Sequence, residues 1–106
     1  MSTASECPHT VAYVFITTEL GMALDVACTV SALRREESDA RVLWADVVTG
    51  PCDVIAVVEV SNDEELGDFV IQQIQTVLGV KSSSTQTQVV SAHYKDGERR
   101  QRNGYP

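Results

Sequence analysis

The sequence predicts an α+β domain with the element order βαββαβ, and three observations carry that expectation. Apolar runs rich in β-branched and aromatic residues recur at 12–16, 41–48 and 54–60. Two intervening stretches, after Met22 and after Asn62, place apolar residues at helical spacing instead. The length, 106 residues, gives room for one domain.

Each element follows from its residues. Ala12-Tyr13-Val14-Phe15-Ile16 is apolar at every position and reads as a buried strand. Thr17 and Thr18 end it, and Glu19-Leu20-Gly21 is a turn. From Met22, residues Ala23, Val26, Ala27, Val30 and Leu33 share one helix face, while Asp25, Thr29 and Arg34 occupy the other. The polar stretch 36–39 ends this helix. A second strand covers 41–48. Thr49-Gly50-Pro51-Cys52 is a tight connection, because Gly and Pro together punctuate a chain. Asp53 opens the third strand at 54–60, and two strands so closely joined should pair as an antiparallel hairpin.

Ser61-Asn62-Asp63-Glu64 matches a capping box. The Ser61 hydroxyl would accept from the Glu64 N–H, and the Glu64 carboxylate would reach back to the Ser61 N–H. Asp63, Glu64 and Glu65 suit the positive end of the helix dipole. Leu66, Phe69, Val70, Ile74 and Val77 form the buried stripe, and Gly79 stands where a left-handed C-cap residue belongs. A last strand over 81–92 is mostly Ser, Thr and Gln before Val89-Val90, which fits a strand at an edge or facing water.

No internal repeat or linker divides the chain. A polar leader is expected at 1–11, one folded domain at 12–92, and a disordered tail at 93–106. The element order is that of the ferredoxin-like split βαβ arrangement. Right-handed crossovers then place both helices on one face of a four-stranded antiparallel sheet. The other face needs cover. Strands one and three are apolar at successive positions, where a sheet with one wet face would alternate. An ordered part of about 80 residues is also a size at which one core is marginal. A second subunit on the open face answers both points, so an oligomer is expected. A partly wet face with scattered exposed valines is the plainer alternative.

Net charge is −7. In the tail, Lys95, Arg99, Arg100 and Arg102 against Asp96 and Glu98 leave +2, so the remaining residues carry −9. An acidic body does not offer the basic surface that phosphate backbones require, and no direct nucleic-acid partner is expected. The basic tail suits contact with an acidic partner. No segment has the apolar length to cross a bilayer. Residues 1–9 lack the basic start and apolar run of a secretory signal, so a cytoplasmic protein is expected. Cys7, Cys28 and Cys52 are odd in number and have no CxxC spacing. That argues against a disulfide framework or a zinc site, and for buried or semi-buried free thiols.

The search for catalytic constellations is nearly empty. His9 and His93 lie outside the core elements. There is no GxSxG, no P-loop, no Cys–His spacing of a thiol enzyme and no metal-ligand cluster. Glu36-Glu37 and Glu64-Glu65 are adjacent residues on solvated ends, where their side chains diverge. Asp46 within strand two is either a buried carboxylate or, more commonly, a solvated or interface one. No enzyme, metal or cofactor is expected.

What remains is the hairpin tip, Val48-Thr49-Gly50-Pro51-Cys52-Asp53, with the stretch Ser83-Ser84-Thr85-Gln86-Thr87. Gly50 permits close backbone approach. Such a tip can hold a small zwitterion, its N–H groups facing a carboxylate and the Asp53 side chain facing an ammonium. Plain turn chemistry, with Asp53 bonding its own turn, is the alternative.

The pattern Val48-Thr49-Gly50-Pro51-Cys52-Asp53-Val54-Ile55, then Glu65-Leu66, Phe69-Val70, Ile74, Gly79-Val80 and Thr85-Gln86-Thr87, resembles the Lrp/AsnC ligand-binding domain. That module is also called the regulation of amino-acid metabolism domain, and the resemblance covers roughly 12–90. It implies a ferredoxin-like fold of the dimeric α+β barrel type, whose dimers join through their sheets and associate into rings. It implies amino-acid effectors held between dimers, near the hairpin after strand two and the start of strand four. Matched residue by residue, this selects Thr49, Gly50 and Asp53, with Thr85 and Thr87; their neighbours Pro51, Cys52 and Ser84 complete the candidate ligand-binding set. Cys52 stands where the family usually has an aromatic residue, so one wall of the implied pocket is a small thiol.

Full-length members add an N-terminal helix-turn-helix, whereas about eleven polar residues precede strand one here. The resemblance therefore implies a stand-alone sensing module that acts through assembly, with a full-length paralogue as a further partner. Two other families share the topology. Dimeric α+β barrel monooxygenases carry a cavity between sheet and helices, which Tyr13 and Trp44 could line and Asp46 serve. ACT-like regulatory domains bind amino acids near a glycine after strand one, here Gly21.

Overall fold

The computed structural model describes residues 10–91. The order is β1 (Thr10–Ile16), α1 (Ala23–Ser31), β2 (Arg41–Val47), β3 (Val54–Val60), α2 (Asp63–Phe69) and β4 (Gln86–Val89). The sheet runs β2-β3-β1-β4 with every neighbouring pair antiparallel. β1 and β2 are thus parallel, as are β3 and β4, and a parallel pair needs a long crossover. The helices supply those crossovers, which completes a ferredoxin-like α+β fold.

The strand period of two sorts the side chains. Ala12, Val14 and Ile16 of β1 and Val54, Ala56, Val58 and Val60 of β3 are fully buried against the helices. Val26, Ala27 and Val30 of α1 meet them, as do Leu66, Phe69, Val70 and Ile74 from the second helical segment. Each large side chain so buried contributes about 1.5–3 kcal/mol.

The alternate positions form an open face, arranged in rows across the sheet. One row is Gln88, Tyr13, Val57 and Trp44; the next is Gln86, Phe15, Ile55 and Asp46. A third begins with Val11 opposite Glu59, whose carboxylate pairs with Arg41 at 3.2 Å. The centre of this face is apolar, as the successive apolar positions predict. Tyr13 is 38% and Trp44 51% exposed. Asp46 is exposed, so the buried-carboxylate reading does not hold.

Several local expectations are corrected. β1 begins at Thr10, before Ala12, and β2 ends at Val47. β2 also carries a bulge between Val42 and Trp44. The extra residue reverses the alternation, so Val42 is buried under the helices while Trp44 turns to the open face. The capping box is shifted by one residue. Asn62 is the N-cap, its Oδ1 accepting from the Glu65 N–H at 2.8 Å. The Glu65 carboxylate accepts from the Ser61 N–H at 3.0 Å. Asn caps as well as Ser, and Ser61 directly continues from β3. The Ser38 hydroxyl and the Ser61 N–H hold the Glu65 carboxyl below its ordinary value of 4.5.

Beyond Phe69 the helix widens into a π-helical turn over Val70–Ile74, where the Gln75 N–H donates to the Val70 carbonyl at 2.9 Å. Gly79 has φ +98°, and a Cβ there would lie 2.9 Å from Met22 Cε and 3.0 Å from Val26 Cγ2. Only glycine suits both the backbone and the packing. The last strand is shorter than expected. Ser82–Ser84 close a 3₁₀ turn, and pairing begins only at Gln86. Serine hydroxyls satisfy turns readily and have nothing to bury in a sheet. Both described thiols are free, Cys52 half-buried but Cys28 exposed rather than buried. Cys7, His9, His93 and the tail at 93–106 lie outside the described residues. Among the described residues, no helix is long and apolar enough to cross a membrane.

Candidate functional site

The hairpin tip is tied to the end of β1. The Val48 N–H donates to the Asp53 carbonyl at 2.9 Å, and the Asp53 N–H to the Ile16 carbonyl at 2.9 Å. The Asp53 carboxylate accepts from the Thr18 N–H at 2.8 Å and from its hydroxyl at 3.4 Å. Thr18 is buried. Gly50 turns the chain at φ +148° with open space around it. Among the described residues, the N–H groups of Thr49, Gly50 and Cys52 have no hydrogen-bond partner.

Beside those groups lies a cavity of about 840 Å³, on the open face of the sheet. Small-molecule sites span about 300–1,000 Å³. Thr49, Gly50, Pro51 and Cys52 form one wall, with Val48 and Thr17 beside them. Phe15 and Ile55, paired directly across β1 and β3, lie between that wall and the other. Ser83, Ser84, Gln86 and Gln88 form the opposite wall.

Of the residues singled out from sequence, the fold brings Thr49, Gly50, Pro51, Cys52 and Ser84 together around this cavity. Asp53 stands behind the wall, engaged with Thr18. The Thr85 hydroxyl donates to the Lys81 carbonyl at 3.3 Å. Thr87 pairs with Val14, on the helix side of the sheet. Ser83 and Gln86, part of the stretch singled out with the hairpin, also line the cavity, as do Ile55 of the motif and Phe15 and Gln88, which were not singled out. The alternating Gln-Thr-Gln of β4 was a visible signal, but its meaning depends on which face the register selects. Gly21 lies in the turn before α1 and does not line the cavity. Tyr13 and Trp44 sit on the open face, not between sheet and helices. No group of three or more His, Cys, Asp or Glu side chains could hold a metal among the described residues.

The profile of the Lrp/AsnC ligand binding domain matches residues 11–99. The chain belongs to this family. No curated protein matches the chain. Among solved structures, this Lrp/AsnC domain is similar to a protein of Thermus thermophilus, with 28% identity, a TM-score of 0.66, and coverage of 80% of this chain and 96% of that one. Escherichia coli AsnC aligns at 18% identity and TM-score 0.69, over 88% of this chain and 58% of that one. A transcriptional regulator of Neisseria meningitidis, solved with L-Met, aligns at 18% identity and TM-score 0.68, over 90% of this chain and 58% of that one. At those lower identities the likeness is one of fold. The family and these regulator neighbours make the domain a regulatory, ligand-sensing type of module.

Proposed function

We propose that this Lrp/AsnC domain senses an amino acid in the hairpin-tip cavity, performs no catalysis, and transmits binding through assembly of its own copies. One observation carries the reading: three residues whose backbone N–H groups have no hydrogen-bond partner among the described residues, Thr49, Gly50 and Cys52, line a cavity of small-molecule size. Backbone donors fixed in a turn suit a carboxylate, because the anion meets dipoles that need no reorganisation. Thr49 and Ser84 line the same space and carry hydroxyls able to accept from an ammonium. Asp53 lends negative charge behind the wall and holds the hairpin against β1. Thr85 and Thr87 fix the segment that carries Ser84 and Gln86.

The apolar centre of the open face supports the assembly half of the reading. Tyr13 and Trp44 expose rings there that a second copy would cover. A homodimer through this face, and a ring of dimers, would set the cavity at a contact between copies. A full-length paralogue is the further partner of such an assembly. Neither nucleic acid nor membrane is a partner of this domain.

The test is thermal unfolding of the purified chain against the common amino acids, with sedimentation velocity beside it. At about a hundredfold excess over Kd, a ligand adds roughly 2.7 kcal/mol per site. For a domain of this size the midpoint should rise by on the order of ten degrees. A rise with one chemical class, accompanied by a change in sedimentation, is the expected result. A flat panel would sink the proposal.

A further inference from the structure

We infer that the cavity selects an amino acid whose side chain is uncharged and ends in a carboxamide, glutamine being the member of that class that spans it. The inference rests on the reading of this cavity as the amino-acid site, and it concerns the wall opposite the hairpin. Every side chain that lines the cavity is formally uncharged at neutral pH. Average composition would place roughly three charges among so many positions. The chain itself is rich in carboxylates and carries −7 overall, so a neutral lining is a local feature.

A charged ligand side chain entering this space would leave water without meeting a counter-ion, and that transfer is costly. A wholly apolar side chain would meet Phe15 and Ile55 on the floor but would face amides and hydroxyls at the far wall. Gln86 and Gln88 point from β4 into the cavity, and Ser83 and Ser84 stand beside them. Among the described residues, none of these four side chains has a hydrogen-bond partner. Together they offer amide N–H donors, amide oxygens and hydroxyls that both donate and accept. A carboxamide needs that mixture, having two donors and one acceptor on a single tip.

The span agrees. From the hairpin wall on β3 across β1 to β4 is two strand spacings, roughly 10 Å. Five extended bonds from the carboxyl carbon to the amide nitrogen of glutamine reach about 6 Å. A hydrogen bond of about 2.9 Å at each end brings the total to about 12 Å, so the ligand crosses the strands obliquely. Cys52 and Gly50 keep the hairpin wall thin, which leaves room for that length.

Isothermal titration with glutamine, glutamate and methionine separates the possibilities, because the three are nearly equal in length. Glutamine should bind at least about tenfold more tightly than either of the others. In the double variant Gln86→Leu, Gln88→Leu, that preference over methionine should vanish. Both positions are exposed on an edge strand, and the unfolding midpoint without ligand reports whether the fold is kept. Glutamate or methionine matching glutamine in the unaltered chain overturns the inference. So does a folded double variant that keeps its glutamine preference. Binding with the wrong selectivity, or none by these three, would end the inference and spare the amino-acid reading beneath it, which falls only if the whole panel of common amino acids is flat.

Discussion

Replacing Asp53 by alanine tests the tie between hairpin and sheet. Its carboxylate is the acceptor for the Thr18 N–H at 2.8 Å, and Thr18 is only 7% exposed. Removing the acceptor leaves a buried N–H without a partner, which costs about 1–3 kcal/mol. The lost bond is charge-assisted, so the upper half of that range applies, about 2–3 kcal/mol. The longer bond from the Thr18 hydroxyl, at 3.4 Å, adds little because a hydroxyl can rotate to another acceptor. In a domain of this size each kcal/mol moves the thermal midpoint by about 4–8 °C. Asp53→Ala should therefore lower it by about 10–20 °C. Urea unfolding should show a matching shift in midpoint with little change in slope. Asp53→Asn keeps an oxygen acceptor and should lose no more than about half as much. Residues 49–52 hang from this tie, so Asp53→Ala should also weaken amino-acid binding. An alanine variant within about 0.5 kcal/mol of the unaltered chain would refute the reasoning. An asparagine variant as damaged as the alanine one would show that the charge, not the acceptor, carries the effect.

The remaining predictions concern glycines, core and pH. Gly79→Ala places a Cβ 2.9 Å from Met22 Cε at φ +98°, so urea titration should show a loss of at least about 1–2 kcal/mol. Gly50→Val has open space but a strained backbone; it should stay folded by circular dichroism while losing amino-acid binding by titration calorimetry. Phe69→Ala empties a fully buried site and should cost about 3–5 kcal/mol, read as a lower urea midpoint. The Glu65 carboxyl is held below 4.5, so its ionised form stabilises the fold above that pH. This contribution is lost as pH falls through the lowered folded value. The stability gap between the chain and Glu65→Gln should therefore narrow in acid, as followed by denaturant titrations across pH.

Much of the fold was legible in the sequence because its signals are local. Helical spacing in Val26, Ala27 and Val30, and again in Leu66, Phe69 and Ile74, marks a buried stripe without reference to any partner. Strands one and three announce two apolar faces by having no polar alternation. Gly79 marks a left-handed residue by position alone. The hairpin tip stood out through Gly50 and Pro51, and five of the eight residues selected with it border the cavity.

Other features depend on contacts far apart in the chain. The helix cap moved from Ser61 to Asn62 because both residues can cap and only the end of β3 decides between them. The bulge in β2 sends Trp44 to the face opposite Val42, although the two share parity. Asp53 finds its partner 35 residues away, in Thr18, which no spacing rule could name. The Gln86 and Gln88 wall exists only because β4 pairs with β1 in one register; a slip by one residue would turn Thr87 inward in their place. The sequence by itself therefore determined which segments become strands and helices, since side-chain periodicity acts within a segment. The tertiary structure decided which side chains share a cavity, since strand register and bulges are settled by the packing of the whole sheet against its helices.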